Sequence, residues 1–254
     1  MINKTGEQAH FDQQVSGKSN EIIFYDTPFL QRLVADIENF AISQLGDLSE
    51  KKLLYFGCGV NFKPVKEFTN RGAISYMIDI SPKSIDILNA KINELGISDR
   101  VFPVIMDCEN LIFSEGEFDA IYGRAILHHL NLKKAIDEIY RVLKKGGCSV
   151  FIEPLGMNPM INFYRKLTPE RRTTSERPFN KEELKYFSNA GFSQFNHYEF
   201  TLFCQVGIIL NSILKINNRD IISYKGLKRL DDLILSRLTF LKRFCWNTVL
   251  VLRK

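Results

Sequence analysis

The chain has 254 residues, of which 45% are hydrophobic and 25% charged, the balance of an ordinary globular protein able to bury a full core. No apolar run reaches the roughly 18 residues a membrane-spanning helix needs, and five cysteines set far apart without a C-x-x-C pair exclude a zinc site or disulfide framework from expectation. The net charge of +5 is uneven: residues 215–254 hold ten Lys or Arg against three Asp, which is +7 locally and leaves −2 for the rest.

Residues 1–20 are polar and lack the charged start and apolar run of a secretory signal, so a cytoplasmic location is expected. Residues 1–50 are expected to form cap helices. From there, short runs rich in Ile, Val and Phe alternate with helical periodicity, the pattern of a parallel sheet covered on both faces. Strands are predicted at 52–56, 74–80, 101–106, 118–122 and 148–153, with helices at 63–70, 82–95 and 132–143. Ser81-Pro82 reads as an N-cap with proline at the first helical position, and Gly146-Gly147 as the end of the third helix. Residues 154–180 read as a long polar and basic connection. A further helix is expected over 181–192, strands at 194–200 and 247–253, and a largely helical insertion over 201–244. The fold class is α/β, doubly wound, in one domain over 1–254, with a core at 51–155 and acceptor-side elements over 156–254.

In a doubly wound sheet, ligands lie at the carboxyl ends of the strands where the order reverses. Gly57 and Gly59 follow the first strand and let a backbone approach a cofactor closely. Asp79 ends the second strand, where a carboxylate can accept two ribose hydroxyls. Asp107 ends the third, where an acid can accept an adenine amino group. In order and at strand ends, the set favours an adenosyl cofactor. Phe62 stands where a dinucleotide-binding turn has its third glycine, so an NAD-dependent oxidoreductase is the disfavoured rival.

The stretches "LLYFGCGVN", "MIDISPKSI", "VIMDCENLIF", "FDAIYGRAILHHL" and "AIDEIYRVLKKGGCSVFIEPLG" resemble the class I S-adenosylmethionine (SAM)-dependent methyltransferases of the methyltransferase-domain type. The resemblance covers roughly residues 50–155 well. It implies a Rossmann-like, seven-stranded sheet with a reversed last strand, SAM as cofactor, and Cys58, Ile80, Cys108 and Arg124 as cofactor contacts beside Gly57, Gly59, Asp79 and Asp107. Two positions depart from the family: Tyr55 stands where an acid near the methionine amino group is usual, and Asn61 where a third glycine is frequent. The chain could therefore have kept the fold without catalysis, as a SAM-binding module.

The methyl of SAM is already activated, so such an enzyme aligns its acceptor, and a hydroxyl acceptor also needs a base. His128 is the preferred base, with His129 its neighbour; Glu153 ends the fifth strand, is expected to face the same cleft, and could be a base, a metal ligand or a partner for an arginine. No metal is otherwise expected. Arg165, Arg171, Arg172 and Arg177, with Asn158 and Asn162, form a candidate site for an anionic acceptor, small or carrier-linked, since arginine forks suit carboxylate and phosphate. The segment resembles methyltransferases of glycan or natural-product assembly. Residues 200–216 are too short to span a bilayer and read as core helix, dimer contact, pocket wall or interfacial helix. The basic tail suggests peripheral membrane contact, and no interleaving of aromatic and basic residues supports nucleic-acid binding.

Overall fold

The computed structural model describes residues 4–15, 27–167, 177–213 and 221–254. Seven strands, β1 (Lys52–Phe56), β2 (Ile74–Asp79), β3 (Val101–Ile105), β4 (Phe118–Arg124), β5 (Leu143–Pro154), β6 (Gln194–Phe200) and β7 (Asn247–Arg253), form one sheet in the order β3-β2-β1-β4-β5-β7-β6. β1 to β5 are parallel, and β7 inserts antiparallel between β5 and β6. The order reverses between β1 and β4, so the cleft opens where these two strands end.

The helices are α1 (Lys4–Val15), α2 (Pro28–Gln44), α3 (Lys63–Asn70), α4 (Pro82–Leu95), α5 (Leu132–Val142), α6 (Pro159–Leu167), α7 (Lys181–Ser188), α8 (Cys204–Ile213) and α9 (Tyr224–Arg237). Alternation along β1 divides the core. Leu53 and Tyr55 pack with α2, α3 and α4 on one face, Leu54 and Phe56 with α5 and α7 on the other. Ser81 caps α4 as expected, its hydroxyl accepting from the Ser84 N–H at 3.2 Å, and Gly96 closes the helix at φ +64°.

Two local expectations are corrected. Gly146-Gly147 does not end the helix before β5: α5 stops at Val142, and the fully buried Leu143 turns extended to pair with Phe118. The ladder resumes at Ala120 with Cys148, so the glycines lie in a bulge, Gly146 at φ +77°. Residues 154–180 are not all connection either, since α6 begins at Pro159 within them.

Candidate active site

β1 runs out at Phe56, and the chain turns through Gly57 (φ +64°) and Gly59 (φ +51°), conformations that L side chains rarely adopt. The Cys58 N–H donates to the Ile78 carbonyl at 3.0 Å and ties the turn to β2. A Cβ on Gly57 would lie 2.4 Å from Ile126 Cγ1, whereas one on Gly59 would meet nothing within 4 Å. The turn thus has one packed and one open side, which is what a cradle for a nucleoside requires.

Asp79 Oδ2 accepts the Gly59 N–H at 2.8 Å and Oδ1 the Ser81 N–H at 2.9 Å. Burial pushes its carboxyl above the usual range, against the pull of these amides. A carboxylate offers about four acceptor positions, so room remains for a ligand hydroxyl. Asp107 Oδ1 accepts the Glu109 N–H at 2.9 Å and the Lys4 ammonium at 3.0 Å. The loop after Asp107 is clamped by α5: Glu138 accepts from the Leu111 N–H, and Arg141 donates to the Leu111 and Phe113 carbonyls. Ile80 is half-buried beside Asp79. Cys58 and Cys108 are buried, and burial pushes both thiols well up, which makes them inert packing groups.

Tyr55 points into the core. Its ring lies 5.2 Å from Tyr122 and 6.0 Å from Phe68, edge to face, and it is 1% exposed. An acid from another element acts on Tyr55: Glu38 on α2, also 1% exposed, faces Arg124 Nη1 at 3.3 Å and Lys63 Nζ at 3.2 Å.

His128 is the middle residue of the short 3-10 turn Leu127–His129 and is buried, with Nδ1 2.6 Å from Glu153 Oε2. Glu153 Oε1 accepts the N–H groups of Ile126 and Leu127 at 3.0 and 2.9 Å. Ala125, at φ +52°, makes the bend that brings these amides inward. Glu153 is fully enclosed, so the expectation that it opens to the cleft is corrected: its oxygens are spent on His128 and two amides. Among the described residues no group of three or more potential metal ligands occurs. His129 Nδ1 lies 3.5 Å from Glu7 on α1.

Of the arginines, Arg177 is exposed, and its backbone N–H donates to the His128 carbonyl at 2.8 Å. Arg165 lies on α6, and Arg171 and Arg172 lie outside the described residues. Asn158 and Asn162 each place an amide against backbone. Asn158 is wholly buried, donating to the Phe244 carbonyl and accepting the Met160 N–H at 3.0 Å, and Asn162 donates to the Gly156 carbonyl at 2.7 Å.

Sequence reading expected cap helices over 1–50 but named none of their side chains at the site. From α1, Lys4 reaches Asp107 and Glu109, Glu7 reaches His129, and Asp12 accepts from the Ser81 hydroxyl at 2.5 Å. Spacings of three and five residues put these three on one side of the helix. Glu38 left a readable signal, an acid inside the buried stripe Leu30, Leu33, Ile37, Ala41, Ile42 of α2.

A family model described as a methyltransferase domain matches residues 54–151, which run from β1 through β5. Over these residues the chain is similar to the SAM-dependent methyltransferase family. SAM is the cofactor of this family, and the glycine cradle and the Asp79 carboxylate fit its nucleoside. Among curated methyltransferases, the chain is 36% identical over 42% of its length to a sterol 4-C-methyltransferase of Caenorhabditis elegans, covering 32% of that protein. It is 29% identical over 65% of its length to a sterol 24-C-methyltransferase of Aspergillus fumigatus, covering 45%, and 33% identical over 35% to a demethylmenaquinone methyltransferase of Bacteroides fragilis, covering 39%. It thus spans about a third to a half of the relatives' length. In fold it is similar to the geranyl diphosphate C-methyltransferase of Streptomyces coelicolor, with a TM-score of 0.71 at 16% identity over 98% of this chain and 97% of that one. A [4+2]-cyclase shares the fold at a TM-score of 0.67 and 18% identity, over 98% and 95% of the two chains.

Proposed function

We propose that this chain transfers a methyl group from SAM to a small or carrier-linked acceptor that loses a proton to His128. The observation that carries the reading is the buried contact of His128 Nδ1 with Glu153 at 2.6 Å, beside the glycine cradle. Glu153 already accepts two amide hydrogens, so its second oxygen takes the hydrogen on Nδ1. Nε2 is then left with the lone pair a base needs. Gly57 and Gly59 admit the cofactor, Asp79 holds its ribose, and Asp107 its adenine. Cys58, Ile80 and Cys108 wall the nucleoside, and Arg124 lies at its amino-acid end. SAM when bound supplies a sulfonium-activated methyl.

The acceptor is an ionisable hydroxyl compound, methylated on that oxygen and bearing an anionic group. Arg177, next to His128 in space, supports the anionic part, with Arg165, Arg171 and Arg172 completing the set in this proposal. Several relatives carry C-methyltransferase in their names, so the product is to be mapped for carbon as well as oxygen. The cytoplasm is the proposed location. Contact with a lipid surface through residues 215–254 belongs to the same reading.

The test is incubation of the protein with methyl-labelled SAM and metabolite or glycan extracts, followed by location of the label. Label on an acidic O-methyl product supports the proposal. Tight S-adenosylhomocysteine binding without transfer to any fraction would make the chain a SAM-binding module instead.

A further inference from the structure

We propose that Glu38, Lys63 and Arg124 form the site for the amino-acid end of the cofactor, with Glu38 supplying from α2 the carboxylate that β1 lacks at Tyr55. The inference rests on the cofactor reading above and adds a residue from outside the glycine motif.

Three observations carry it. First, Tyr55 and the buried stripe of α2 belong to the same face of the sheet, so an acid on α2 can descend onto the end of β1. Second, Glu38 is 1% exposed yet charged, a placement that costs several kcal/mol unless cations meet it. Two do: Arg124 at the end of β4 at 3.3 Å, and Lys63 on the first turn of α3, directly after the glycine turn, at 3.2 Å. Third, the two contacts differ in kind. Arg124 hydrogen-bonds Glu38 Oε1, whereas Oε2 makes no hydrogen bond and has only the Lys63 ion pair. The Lys63 side chain is 56% exposed, so it can swing away at little cost.

One carboxylate with two cations is the complement of a zwitterion carrying one ammonium and one carboxylate. In the present arrangement the Lys63 ammonium occupies the place on Oε2 that a ligand's ammonium would take. When it is displaced, Lys63 and Arg124 are the two cations left for the ligand's carboxylate. Burial on the α2 side keeps Glu38 from being screened, so the contact is worth more than a surface pair. The Tyr122 hydroxyl beside it, held protonated by burial and by Glu38, is a neutral donor that leaves the charge of the carboxylate to the cations.

The experiment compares two ligands by calorimetry: S-adenosylhomocysteine, which has the amino-acid end, and 5′-methylthioadenosine, which lacks it. Glu38→Gln should weaken S-adenosylhomocysteine about tenfold or more while leaving 5′-methylthioadenosine within about twofold, the usual size of losing a charged hydrogen-bond partner. Lys63→Met changes an exposed side chain without touching the core, and it should weaken S-adenosylhomocysteine alone by about threefold or more. It decides the matter if Glu38→Gln does not fold. Equal losses for both ligands, or none for either, overturn the assignment. A parent protein that binds neither ligand overturns the cofactor reading itself, whereas a parent that binds both beside unaffected variants overturns only this site.

Discussion

At the scale of single residues, Glu153 has one oxygen on two amide hydrogens and the other on His128, so its substitution separates scaffolding from catalysis. In Glu153→Gln the amide oxygen can still accept both N–H groups, but the amide nitrogen donates to Nδ1 and drives the imidazole to the opposite tautomer, with hydrogen on Nε2. The variant should keep its stability within about 1 kcal/mol and lose turnover about a hundredfold, as should His128→Ala, with S-adenosylhomocysteine affinity preserved in both. Denaturant melts beside steady-state rates check this, and unchanged turnover in Glu153→Gln would remove His128 from the base role. Asp79 gives a pH prediction. Its folded carboxyl is raised by burial, so the folded protein holds a proton more readily than the unfolded chain, and stability attributable to Asp79 falls as pH rises through the interval above 3.8. Ribose hydroxyls need the ionised form as acceptor. Affinity for S-adenosylhomocysteine should therefore decline as pH is lowered into that interval, and Asp79→Asn should flatten the decline. Calorimetry across the acid range reads both, and equal slopes would leave Asp79 as a tie between β2 and the glycine turn.

At the scale of elements, α1 is the least expected part of the site. Its Lys4, Glu7 and Asp12 meet groups at or just beyond the ends of β3, β4 and β2 respectively, so one helix face closes over three strand ends. The helix is otherwise polar, and of these contacts the Lys4–Asp107 pair is partly exposed and worth on the order of 1 kcal/mol or less, while Glu7 beside His129 is buried. Such an element should open far more readily than the sheet. Removing residues 1–15 is predicted to leave the thermal unfolding midpoint within a few degrees and to speed S-adenosylhomocysteine release about tenfold, measured by stopped flow. A large loss of stability would show α1 to be part of the core. The loop after Asp107 is built differently. Glu138, whose carboxyl is held low chiefly by Arg141, contributes stability above its unfolded value of 4.5 that is lost as pH falls through its folded value.

Over the whole molecule, the charge imbalance becomes a surface. On α9 the exposed Arg229, Leu230, Leu233 and Arg237 follow helical spacing, and exposed Phe240 continues the line past the helix. Among the described residues no helix is long and apolar enough to cross a membrane. A line of apolar side chains flanked by arginine suits the interface of an anionic bilayer, where each basic residue adds about 1 kcal/mol. The protein should sediment with phosphatidylglycerol vesicles, less so at high salt, and the double change Leu233→Glu, Phe240→Glu should weaken this about tenfold. Failure to bind vesicles at low salt would make the line a solvated face.

The core of the fold was legible because its signals are local. A strand run into Gly57 and Gly59, an acid at the end of the next strand, and the cap at Ser81 depend on neighbours within a few residues, where backbone sterics and hydrogen bonding decide. The family motifs of residues 54–151 lie in that same stretch. Periodicity failed where long-range pairing overrode it: Leu143 left its helix to meet Phe118, and the glycines after it became a bulge. The same holds for the site. Asp79 could be placed by its distance from Gly57, but whether Glu153 faced the cleft or the core depended on the bend at Ala125 turning two amides toward it. Asn158 and Asn162 read as acceptor-site candidates, and their hydrogen bonds to distant and nearby backbone carried no local signal. Sequence by itself determined the cofactor turn and the order of the strands' chemistry, because those are short-range. Only tertiary structure brought Glu38 from α2 to Arg124 and Lys63, because the energy that holds a buried carboxylate comes from charges 25 and 86 residues away in the chain.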